Sequence, residues 1–158
     1  MIECGRDGRL SFVASGVVST VAAEALAERL CHLHRALVAL LGSWSPDEAA
    51  VEQTYMNKNA GAALKLGQAR GVVLLAPVLA GVPVSEYGAM EVKRAVVGTG
   101  HAEKAQVEAM VRQLLPGAQI RRADAADALA VAICHAHHRA SRIALARAQG
   151  KAPGGVPA

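Results

Sequence analysis

Two aspartates, Asp124 and Asp127, stand three residues apart at the head of an apolar run, Ala128 to Cys134. The surrounding stretch, RRADAADALAVAICHAHH over Arg121 to His138, is rich in alanine and leucine and holds no proline or glycine. Helix is its natural state, continuing through Arg147. Residues three apart on a helix share a face. Both acids are expected in the first turn, where the helix dipole favours negative charge. Two carboxylates that close repel each other unless a cation lies between them. Hard divalent ions such as Mg2+ take carboxylate oxygens. Capping of the helix by Asp124 alone is the plainer alternative.

Glu52 is a third acid of interest, inside an apolar strand that begins Ala49-Ala50-Val51. A carboxylate there is costly to bury unpaired. It is either an edge residue facing solvent or a metal ligand at the strand's exit. Phosphodiester hydrolysis with two metal ions needs carboxylates from separate elements, holding ions about 3.5–4 Å apart. A strand acid with a helix-start pair suits that chemistry. Lys58, Lys93, Arg94, Lys104, Arg121 and Arg122 flank these acids in sequence, and such residues neutralise phosphates. Solvated helix faces account for most lysines and arginines equally well. Tyr55 is either core or a platform for an unpaired base. Cys134, His135, His137 and His138 suggest zinc by the i,i+4 spacing of Cys134 and His138, but no second ligand pair accompanies them. A partly exposed helix face is the competing reading. Gly98-Thr99-Gly100 is too short for a phosphate-cradling loop.

These residues must be positioned by 158 residues, enough for one domain with a real core. Hydrophobic residues make up 53% and aromatics 3%, so Val, Leu, Ile and Ala build that core. A net charge of +4 permits an acidic partner such as nucleic acid without demanding one. Three separated cysteines, with no CxxC, point to free thiols in a reducing cytoplasm. Met1 to Leu10 is no secretory signal. The longest apolar stretch, Gly71 to Val84, falls short of the roughly 18 residues of a membrane span.

The periodicity predicts a hairpin across Gly5 to Gly8, with a strand over Leu10 to Ser19 and only a stub before the turn. A helix follows over Val21 to Leu41, stopped by Gly42. A strand is expected at Ala49 to Met56 and a helix at Asn57 to Leu79, ended or kinked near Pro77. A strand at Val82 to Tyr87 comes next. Short helices are expected at Met90 to Val97 and Ala102 to Leu115. Strands alternating with helices imply an α/β fold with parallel pairing after the hairpin. One domain over 1–148 and a flexible tail over 149–158 complete the reading.

The runs VEQTYMNKNAGAALKLGQARG (51–71), EYGAMEVKRAVVGTGHAEKAQV (86–107) and ADAADALAVAICH (123–135) resemble the RuvC family of Holliday-junction resolvases. The likeness spans Met1 to about His138. It implies a ribonuclease-H-like fold, a five-stranded mixed sheet with helices on both sides. It implies a crossover-junction endodeoxyribonuclease: a homodimer cutting a four-way junction symmetrically with Mg2+ or Mn2+, alongside the RuvA–RuvB branch-migration complex. By the resemblance, Glu52, Asp124 and Asp127 are metal ligands and catalytic. Lys93 and Lys104 contact phosphate, and Tyr55 stacks near the opened junction; Lys58, which follows the Glu52 strand, is a further candidate for DNA contact. The helix matching Asn59 to Ala80 dimerises through a face including Leu64, Val72, Leu75 and Leu79.

The chain departs from the family in one respect. The family opens with a central strand ending Asp-Pro-Gly, whose aspartate is a metal ligand, and this sequence has no such segment. Asp7 is no substitute, because it sits in the hairpin turn. The expectation is an internal start, with Met1 read from a GTG codon and the strand encoded upstream. Otherwise the chain would be an impaired, truncated form that binds junctions without cutting them. A non-enzymatic oligomerising or zinc-binding module is the remaining alternative.

Overall fold

A computed structural model describes residues 1–5, 7–53 and 59–149, for 146 and 147 the backbone alone. Tyr55, Lys58 and the tail beyond Gln149 lie outside the described residues. The contacts divide the chain into two compact units, Val17–Glu86 and Met1–Gly16 with Tyr87–Ala158.

The second of these is built on a hairpin and three helices. Strands β1 (Ile2–Cys4) and β2 (Leu10–Phe12) pair antiparallel, with Ile2 opposite Phe12 and Cys4 opposite Leu10. The turn closes through Gly5 N–H to the Arg9 carbonyl at 2.8 Å and Gly8 N–H to the Gly5 carbonyl at 2.9 Å. Gly8 sits at φ 80°, a conformation that favours glycine. The ten-residue strand expected over Leu10 to Ser19 is thus three residues long, and the stub before the turn is a strand in its own right. Past Phe12, the Val13 and Ala14 amides both turn to the Met1 carbonyl, and the ladder stops.

Helices α3 (Ala89–Val97), α4 (Lys104–Leu114) and α5 (Ala123–Ala148) pack against one another. Each presents an apolar pair spaced by one turn: Val92 and Val96, Val107 and Val111, Leu129 and Ile133. Leu115 and Cys134 are fully buried among them. Aliphatic residues carry this core, as the composition demands. Gly98 ends α3 in the left-handed region at φ 87°. A reciprocal capping box between Glu103 and Gln106 starts α4 and fixes Lys104 as its first residue.

The Val17–Glu86 unit holds α1 (Leu26–Trp44), β3 (Ala49–Glu52), α2 (Ala60–Leu79) and most of β4 (Val84–Tyr87). Strand β3 pairs with β4, and α2 connects them in sequence as in a β-α-β unit. Helix α1 starts later and ends later than its periodicity predicts. Gly42 lies inside it, because one glycine costs a packed helix only about 1 kcal/mol. Asn59 caps α2 by accepting the Ala62 N–H at 3.0 Å. Pro77 stands inside α2, which runs two residues further to Leu79.

Helices α1 and α2 pack together, yet α1 has no buried residue and α2 buries only Ala76 and Pro77. Taken whole, α2 is long and apolar enough to cross a membrane. That corrects the expectation drawn from the shorter Gly71 to Val84 stretch. Leu64, Leu75, Val78 and Leu79 are all more than half exposed on it.

Candidate nuclease site

Helix α5 begins at Ala123, so Asp124 is its second residue and Asp127 its fifth. Only Asp124 lies in the first turn, a correction to the expected placement of both. Asp124 also sits within the helix and not at the position before it, so simple capping does not account for it. The dipole favours the Asp124 charge, but its effect fades within the first turn. Asp127 is compensated differently. The Lys104 ammonium, from the start of α4, lies 3.6 Å from an Asp127 carboxylate oxygen. The two elements that carry this pair touch through the buried core beneath it. Both Lys104 and Asp127 remain open to solvent, Lys104 more so.

Lys93 is half-buried on α3. Arg121 and Arg122 are exposed just ahead of α5. This unit therefore presents two acids with lysines from two further helices.

Glu52 is the last residue of β3, exposed, in the Val17–Glu86 unit. Its main-chain carbonyl accepts from the Arg70 guanidinium, and Arg70 also ion-pairs with Glu86. Among the described residues, no three His, Cys, Asp or Glu side chains are gathered around one point as a metal cage.

The cysteine and histidine cluster takes other partners. Cys134 is fully buried, and burial with the nearby Glu91 charge pushes its thiol up to about 11. His135 is also buried, and its Nδ1 lies 2.9 Å from the Tyr87 hydroxyl. His137 Nδ1 reaches the Ala95 carbonyl at 3.2 Å. His138 Nε2 lies 3.1 Å from a Glu91 oxygen, and its ring packs on Tyr87 with centroids 5.2 Å apart. The partly exposed face expected here is, at Cys134 and His135, part of the core. The packing of α3 and Tyr87 on α5 makes it so. Tyr87, Glu86 and Arg70 escaped the sequence reading. A charged residue in the apolar α2 was the one available signal for Arg70.

A mixed α/β chain with an acid at a strand end, two acids near a helix start and a lysine beside one of that pair fits the ribonuclease-H-like nuclease class. The sequence model described as "Crossover junction endodeoxyribonuclease RuvC" matches residues 1–135. The protein of that name from Granulibacter bethesdensis is 64% identical over 139 residues, covering 88% of this chain and 78% of the relative. That from Acidiphilium cryptum is 68% identical over 133 residues, covering 84% and 80%. The solved structure "T. thermophilus RuvC in complex with Holliday junction substrate" superposes with a TM-score of 0.80 at 36% identity, covering 87% of this chain and 84% of that one. The chain belongs to the RuvC family of crossover junction endodeoxyribonucleases.

Proposed function

We propose that this protein resolves Holliday junctions by metal-dependent hydrolysis of DNA phosphodiester bonds, cutting opposite strands symmetrically as a homodimer. The observation that carries the reading is the Asp124 and Asp127 pair at the head of α5, with a lysine ammonium 3.6 Å from Asp127. A relative solved with a Holliday junction supports the substrate class. Asp124, Asp127 and Glu52 are the ligands assigned to the metal. Their donors are hard carboxylate oxygens, which suit Mg2+ or Mn2+ better than zinc. The Lys104 ammonium shares the Asp127 oxygens with any bound cation, and it is open enough to solvent to turn from them to a phosphate. When bound, the metal supplies an activated water and neutralises the leaving oxygen. The chain's own residues hold the phosphate. Lys93 and Lys104 neutralise it, and Lys58 and Tyr55 are assigned to further DNA contact, Tyr55 by stacking on a base.

The exposed apolar face of α2 is assigned to a second copy of this chain. A cluster including Leu64, Leu75, Val78 and Leu79 left in water would cost solubility, and an isologous partner covers it. Two sites then face two strands. Residues 1–148 are assigned to the nuclease, acting in the cytoplasm with the RuvA–RuvB complex delivering the junction.

The test is a synthetic four-way junction labelled on each strand. Paired, symmetric cuts in Mg2+ support the reading. Binding in Ca2+ or EDTA with no cutting in Mg2+ or Mn2+ would leave a junction-binding protein instead.

A further inference from the structure

We infer that Arg70 is a positioning residue that sets the aim of Glu52, a role that rests on the assignment of Glu52 to the metal. Arg70 stands in the middle of α2, between the strands that the helix connects. Its guanidinium donates to the main-chain carbonyl of Glu52, the last residue of β3. The same group pairs with the carboxylate of Glu86 on β4. The side chain is only 19% exposed. A largely covered guanidinium is held best where its donors find acceptors and its charge a counter-ion, and these two partners supply an acceptor and a counter-ion.

The division of labour is the informative part. Arg70 takes Glu52 by its backbone and gives its charge to Glu86. An arginine aimed at the Glu52 carboxylate would compete with a cation for those oxygens. An arginine on the carbonyl instead fixes the peptide plane that leaves β3. That plane sets the backbone from which the Glu52 side chain projects, and a planar fork with two anchors holds it more tightly than a lysine would. Glu86 keeps the fork from swinging toward Glu52. A strand's last residue has few ladder bonds to steady it, so a side-chain clamp there has real leverage.

Amide exchange of the β3 segment and Mn2+ affinity test this, on full-length wild type, Arg70→Ala, Arg70→Lys and Glu52→Gln. Loss of a charge-assisted bond predicts exchange around Glu52 in EDTA faster by about tenfold in Arg70→Ala, with α5 unchanged. Mn2+ affinity, read by the free-ion EPR signal, should fall several-fold. Arg70→Lys, keeping the charge but not the fork, should lie between. If Arg70→Ala does not fold, Arg70→Lys carries the same two readouts at smaller amplitude. Exchange and Mn2+ affinity both equal to wild type in the folded variants would overturn the inference. A wild type that binds no Mn2+ sensitive to Glu52→Gln would instead overturn the metal assignment, and the exchange data would still decide whether Arg70 clamps β3.

Discussion

The Lys104 ammonium and the Asp127 carboxylate face each other at 3.6 Å across the junction of α4 and α5. Magnitude decides what this contact is for. Lys104 is 82% exposed, and an ion pair so open to water contributes at most about 1 kcal/mol. Stability does not explain the arrangement. On the proposed function, this lysine supplies positive charge for a phosphate oxygen of the junction.

Replacing Lys104 with alanine should therefore leave the melting temperature almost unchanged. Junction affinity should fall, and the slope of log affinity against log salt should shrink by roughly one phosphate's worth. Salt titrations of a labelled four-way junction in Ca2+ read both. An unchanged slope would remove Lys104 from the DNA interface.

Asp124→Asn should keep junction binding and lose cutting by at least a hundredfold, about 3 kcal/mol of barrier. One ligand charge disappears while the basic surface stays. The same substitution at Asp127 frees Lys104 from its partner, so binding there should hold or tighten slightly as cutting falls. Single-turnover cleavage in Mg2+ beside gel-shift binding in Ca2+ separates the two effects. Normal cutting by either variant would sink the ligand assignment.

Much of the Asp124 site was legible in the sequence, and the reason is local. An alanine-leucine run declares its helix without tertiary help, and acids near its start can be counted off. Strand length was less legible. Val17 and Val18 favour extended backbone, but a strand lasts only as long as its ladder, and pairing ends at Phe12. The burial of Cys134 and His135, on a helix face expected to be partly exposed, escaped for a similar reason. Nothing between Cys134 and His138 shows that Tyr87, 48 residues earlier than His135, packs against them. The Arg70 contacts to Glu52 and Glu86 are equally non-local. Local propensity cannot reveal a partner 16 or 18 residues away.

The α2 surface predicts an assembly defect. Leu79 and Leu64 are 68% and 66% exposed, and a charge at either spoils an apolar face without disturbing the monomer. Leu79→Lys should shift sedimentation from dimer toward monomer. Paired cuts should give way to single nicks, because each copy supplies one site. A monomeric wild type would defeat the assignment of this face to a second copy.

Cys134 predicts a pH dependence whose sign follows from its surroundings. In the unfolded chain its thiol ionises near the ordinary value of 9.0, and in the fold it is pushed up to about 11. The native state therefore holds the proton longer. Between those values the unfolded chain gives up its proton first, so stability falls as pH rises. Below pH 9 the residue makes no such demand. Cys134→Ala or Cys134→Ser should flatten the loss of stability above pH 9, though each also loses core packing or buries a hydroxyl. Chemical denaturation at pH 8 and pH 10.5 gives the comparison. Thiol labelling supplies the independent check: exposed Cys31 should react readily at pH 8, while buried Cys134 should wait for unfolding. Rapid labelling of Cys134 in the native protein would show that α5 opens far more easily than its packing against α3 and α4 implies.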